Sequence, residues 1–102
     1  MTQYNNLVRD RIPEMIRSAG EIPVTRILSY AEYLTCLEAK LDEEVQEFRQ
    51  DKNLEELADI LEVLYGLADC IGCSKDELHR ACDQKRSERG GFDSRIFLIS
   101  KE

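Results

Sequence analysis

No stretch of this sequence approaches the roughly 20 apolar residues of a membrane span, and the opening, MTQYNNLVRDRIP, lacks the apolar core of an export signal. Basic residues are also scarce: 14 Lys and Arg stand against 21 Asp and Glu, for a net charge of −7. That balance excludes a general nucleic-acid binder, whose affinity comes from cations set against phosphates. It suits a protein that collects cations. Repeats, low-complexity segments and linker-like stretches are absent. The expectation is one cytoplasmic domain over residues 1–102, with neither membrane nor nucleic acid as a partner. Its four cysteines are then expected as thiols in a reducing compartment.

What the chain does have is helical periodicity. The opening segment carries Leu7, Val8, Ile12, Met15 and Ile16, with Pro13 suited to a first turn and Gly20 to a stop. The β-branched run at 22–28 is long enough only for a connector or an edge strand. Ser29 and Glu32 form a capping box for a second helix over 30–50, whose stripe is Leu34, Leu37, Leu41, Val45 and Phe48. Asn53 caps a third over 54–71. Its apolar residues cover well over half the circumference, more than one neighbour in a small domain requires, which points to a homodimer or higher homo-oligomer through this helix. Ser74 and Glu77 open a fourth over 75–88, stopped by Gly90 and Gly91. The run Ile96-Phe97-Leu98-Ile99 is expected to pack as a short strand or an arm. The order predicts an all-α, four-helix bundle-like domain with a short extended C-terminal tail.

The chemistry concentrates in KLDEEVQEFRQDKNLEELADILE, residues 40–62. Glu44 with Glu47, and Glu56 with Asp59, are each spaced i, i+3 and so neighbour one another on a helix face. A tight hairpin would bring all four carboxylates to one place, where they repel unless protonated or joined by a cation. On the helical wheel, Glu44 falls at the edge of the apolar stripe, Glu47 borders it, and Glu43 points to solvent. Glu56 falls inside the apolar arc of the third helix, where a solvated charge does not belong. Ordinary readings compete: surface helices are rich in acids, and Glu56 stands where a capping partner of Asn53 would stand.

KLDEEVQE followed by EELADILEVLYGL resembles the EExxE…ExxD signature of the MazG-like, all-α nucleoside triphosphate pyrophosphohydrolases, relatives of phosphoribosyl-ATP pyrophosphohydrolase and of dimeric dUTP and dCTP hydrolases. YNNLVRDRIPEMI and KRSERGGF resemble a small single-domain branch, so the likeness runs from Tyr4 to Phe92. It implies Mg²⁺, with Mn²⁺ as a substitute, held by Glu44, Glu47, Glu56 and Asp59. It also implies hydrolysis of a nucleotide substrate between its α and β phosphates, in a site completed by a second subunit. Only eight residues separate Glu47 from Glu56, fewer than in many members, which demands a tight hairpin. Glu47, at the rim, is assigned to accept the proton of the attacking water.

Positive charge for the phosphates is expected from Lys40, one turn before Glu44, from Lys85 and Arg89 near the end of the fourth helix, and from Arg9 and Arg11. Each has a plainer role available, as a helix-dipole cation or as a partner of acids across the bundle. Tyr30, Tyr33 and Tyr65 could stack on a base, though aromatics at helical spacing more often fill cores. Two rival readings come from other classes. One is a non-catalytic helical interaction module that keeps the fold. The other is a zinc module built from Cys70, Cys73, His79 and Cys82, whose spacing departs from compact zinc knuckles.

Overall fold

The computed structural model describes residues 5–102, so Tyr4, at the start of the opening motif, lies outside the described residues. Four helices follow in order: α1 (Ile12–Ser18), α2 (Tyr30–Asp51), α3 (Leu54–Cys70) and α4 (Lys75–Arg89), with no strand among the described residues. The fold is all-α, and α2, α3 and α4 each end within one residue of their expected limits.

Local chemistry fixes these limits. The Ser29 hydroxyl accepts from Glu32 N at 3.2 Å, and Glu32 Oε1 accepts from Ser29 N at 3.0 Å. The same carboxylate grips Arg26 at 2.7 and 3.2 Å, tying the connector to the start of α2. That guanidinium, followed by the Ser29 bonds, lowers the Glu32 pKa to about 2. Lys52 turns the chain in a left-handed conformation, φ +47°. Asn53 Oδ1 then takes Glu56 N at 3.0 Å to start α3. At the far end, Gly72 N bonds Asp69 O and Cys73 N bonds Ala68 O, with Gly72 at φ +81°. This pair of bonds is a Schellman stop. The reciprocal Ser74–Glu77 box restarts the chain as α4.

Packing is concentrated in one hairpin. α2 lies against α3 and α4 against α3, and α1 packs on no other helix. Leu37, Val63 and Ala68 are the buried apolar side chains among the described residues. The expected four-helix bundle is therefore not formed within one chain. The seven-residue α1 leaves Met15 exposed, and α4 has too few apolar residues to close a second layer. The expected packing of the tail is not seen within this chain either: Phe92 and 96–99 are exposed, as are Ile22, Val24 and Ile27 of the connector, which runs extended without pairing as a strand.

These exposures add up to a molecule too open for its size. The radius of gyration is 17.9 Å, where a compact chain of this length gives about 13 Å. The accessible surface is 9364 Å², against about 5900 Å² expected of a compact monomer of 11.8 kDa. Along α3 the exposed leucines 54, 57, 61 and 64 repeat at spacings of three and four, a seam of coiled-coil type. No helix among the described residues is long and apolar enough to cross a membrane.

Candidate metal centre

The hairpin brings the two acidic pairs together. Glu44 and Glu47 of α2, and Glu56 and Asp59 of α3, each place a carboxylate oxygen within 4.8 Å of the others. Glu44 is 7% exposed, the sole buried charged residue among those described, and the other three are half-buried. Glu43 is exposed, on the side of α2 where the wheel put it. Glu56 spends its backbone N–H on the Asn53 cap, but its carboxylate does not return the bond. The capping role thus leaves that carboxylate free to join the cluster.

Two oxygens set this arrangement apart from an ordinary acidic surface. Glu44 Oε2 and Glu56 Oε2 are buried and have no hydrogen-bond partner. A buried acceptor left alone costs the desolvation of that group, and a charged one costs more. Burial first, then a proton shared with Glu47 and the charges of Glu47 and Asp59, push the Glu44 pKa up to about 7, while Lys40 pulls the other way. Burial, then the charge of Glu47, raises Glu56 as well. A hard divalent cation such as Mg²⁺ takes oxygen ligands of this kind. The donor set and its two orphaned oxygens fit such an ion.

Beside the carboxylates lies a cavity of about 400 Å³, bounded by α2, α3 and the segment ahead of α1. Three cations line it. Lys40 Nζ stands 4.0 Å from Glu44 Oε1. Arg9 Nη2 donates to Asp59 Oδ1 at 2.7 Å. Lys75 enters from the first turn of α4, with its Nζ 4.8 Å from the centre of the Tyr65 ring. Lys75 was not singled out in the sequence. It reaches the cavity because the Gly72 stop folds α4 back on α3, and a lysine just past a capping serine is the only trace of this in the sequence. Of the other expected cations, Arg11 faces Glu14 at 3.9 Å. Neither Arg11, Lys85 nor Arg89 lines this cavity.

The tyrosines part company. Tyr33 lines the cavity, and burial raises its hydroxyl pKa. Tyr65 hydrogen-bonds His79 Nε2 at 3.0 Å, and Tyr30 is exposed. Gly66 lets α2 approach: a Cβ there would meet Leu37 Cδ2 and Tyr33 Oη at 3.0 Å. The zinc reading finds no support. Among the described residues the acidic quartet is the one His, Cys, Asp or Glu group with metal-ligand spacing, and all four cysteines are free thiols.

Comparison with known proteins adds little. No family model matches the chain, and no solved structure does. An uncharacterized protein from Mycolicibacterium smegmatis (strain ATCC 700084 / mc(2)155) is 65% identical over 43 residues. That match covers 42% of this chain and 44% of the relative's length, so the chain spans under half of the protein it is similar to.

Proposed function

We propose that this chain is a Mg²⁺-dependent nucleotide pyrophosphohydrolase of the MazG-like kind, splitting a nucleotide between its α and β phosphates into a monophosphate and pyrophosphate. The observation that carries the reading is the quartet Glu44, Glu47, Glu56 and Asp59, gathered within 4.8 Å with two buried oxygens unpartnered. A retired site has no reason to keep a buried acid at 7% exposure. When bound, Mg²⁺ (or Mn²⁺) supplies charge for phosphate oxygens and lowers the pKa of water.

The chain's own residues do the rest. All four carboxylates hold the ion. Glu47, half-buried and at the rim, accepts a proton from the attacking water. Lys40 and Arg9, with Lys75 beside them, line the cavity with the fixed positive charge that a polyphosphate requires. Tyr33, on the same wall, offers an aromatic face for a base.

The working form in this reading is a homo-oligomer in the cytoplasm. The surplus of accessible surface is about 3,500 Å² per chain by the compact-monomer scaling, more than the roughly 1,000–2,500 Å² per partner that an obligate interface buries. The leucine seam of α3 is where a second copy would pack first.

The test is to incubate the protein with Mg²⁺ and a panel of NTPs and dNTPs, then separate the products. Monophosphate with pyrophosphate supports the reading, and diphosphate with inorganic phosphate refutes it. The competing interaction module is favoured by the same exposed leucines. It predicts an oligomer that forms no product and gains no thermal stability from Mg²⁺.

A further inference from the structure

Residues 7–10 line the cavity, and contacts from Asn6 and Arg9 tie this segment down. Asn6 Oδ1 accepts from Lys40 Nζ on α2 at 3.4 Å. Arg9 reaches α3, with Nη2 at 2.7 Å from Asp59 Oδ1 and Nη1 at 3.7 Å from Glu62 Oε1. Leu7 and Val8, between these anchors, form part of the cavity wall. The contact with Asp59 spans 50 positions of sequence.

Asp59 is thereby claimed twice. It is one of the four clustered carboxylates, and it is also the partner of a guanidinium. A guanidinium at hydrogen-bond distance gives that carboxylate what a divalent cation would give it, an opposite charge. The two cations cannot serve Asp59 together without repelling one another. For Arg9 to give up Asp59, its side chain must move. The contact is built to let go: Arg9 and Asp59 side chains are 54% and 40% exposed, and an exposed pair is held weakly. Arg9 already lines the cavity, and its planar fork matches phosphate oxygens.

Resting on the pyrophosphohydrolase reading, we infer that Arg9 is the internal counter-ion of the carboxylate cage: it leaves Asp59 when a divalent cation enters and then holds the phosphates of the substrate. The inference gives the removal of Arg9 two effects of opposite sign. Metal binding becomes easier because a competitor is gone, and phosphate binding becomes harder because a donor is gone. A residue that merely positions Asp59 would weaken both.

Calorimetric titration with Mn²⁺ alone compares the wild type, Arg9→Gln and Arg11→Gln. Arg11→Gln removes the same charge two residues on, but Arg11 faces Glu14 and does not line the cavity. Arg9→Gln is expected to bind Mn²⁺ tighter by about fivefold, the upper worth of an exposed pair, with Arg11→Gln unchanged. With the cage saturated by Mn²⁺, pyrophosphate is expected to bind Arg9→Gln at least about tenfold more weakly, the worth of a charge-assisted bond. Arg9→Lys, which keeps the charge and loses the fork, should fall between wild type and Arg9→Gln in both titrations. Equal or weaker Mn²⁺ binding by Arg9→Gln overturns the inference while leaving the metal site standing. Tighter Mn²⁺ binding with unchanged pyrophosphate binding overturns the transfer to phosphate. A wild type that takes up no Mn²⁺ overturns the proposed function and this inference together.

Discussion

Replacing Glu44 by glutamine should stabilise the metal-free protein above neutral pH and leave it unchanged in acid. The magnitude follows from the pKa of about 7 in the folded chain against the ordinary 4.5. Below the lower value the group is protonated in both states and contributes nothing. Between the two values the unfolded chain ionises while the folded one holds its proton, so stability falls as pH rises. Above the upper value the loss is complete, at about 3 kcal/mol. Glutamine keeps the shape and carries no charge, so it does not suffer this loss. In EDTA at about pH 4, wild type and Glu44→Gln should melt close together; at about pH 8 the variant should be ahead by about 3 kcal/mol, or roughly 10–15 °C in a domain of this size. Excess Mg²⁺ should reverse the ranking, raising the wild type alone. Differential scanning calorimetry across this pH range reads all of it. A difference between the two proteins that does not grow with pH, or that has the other sign, would refute the argument from burial and charge crowding.

Asp59→Asn should abolish Mg²⁺-dependent thermal stabilisation and turnover with little change in the far-UV circular dichroism, whereas Glu43→Gln should leave both close to wild type. Gly66→Val should lower stability by about 1–3 kcal/mol by overpacking Leu37 and Tyr33, read as a fall in urea midpoint at constant slope. Leu61→Lys, at the middle of the exposed seam on α3, should lower the mass found by sedimentation equilibrium towards that of one chain if α3 is the interface; an unchanged mass would move the interface elsewhere. Ser74→Ala removes the hydroxyl that accepts from Glu77 N and should cost about 1 kcal/mol, with no effect on metal binding.

Much of the hairpin was legible because its signals are local. A serine with a glutamate three residues on marked the starts of α2 and α4, Asn53 marked α3, and all three caps form as read. The wheel put Glu44 at the edge of the apolar stripe and Glu43 in solvent because a helix has one period, and packing against α3 buries Glu44 further than that edge position implied. What stayed hidden depends on contacts between distant residues. Nothing local links Arg9 to Asp59, fifty residues away. Glu56 left two roles open, and the answer is that its backbone serves the cap while its side chain serves the cluster. The apolar runs at 22–28 and 96–99 announce only that surface wants covering, and hydrophobicity has no direction to say by what. The run at 22–28 is a connector, one of the two roles its length allows, whereas 96–99 does not pack as a strand or arm within this chain.

The place of the carboxylates in the fold also has a reason. An ion site needs its ligands held within a few tenths of an ångström, and among the described residues α2 and α3 form the most closely packed pair, around Leu37, Val63 and Ala68. Putting four acids on this one firm pair weakens it, because each ionised carboxylate repels the next and two oxygens go unpartnered. A chain with so small a core has little stability in hand to offset such a defect. In the proposed reading, compensation comes from outside the chain, from a cation between the acids and from a second copy across the leucine seam. The two should act together: each stiffens the same hairpin, so binding of one lowers the ordering cost of the other. Mn²⁺ affinity should therefore rise with protein concentration across the range where copies associate, and Leu61→Lys should weaken Mn²⁺ binding although it touches no ligand. If titrations at high and low protein concentration give one affinity, and the seam variant shares it, the hairpin is rigid enough alone and the coupling argument fails.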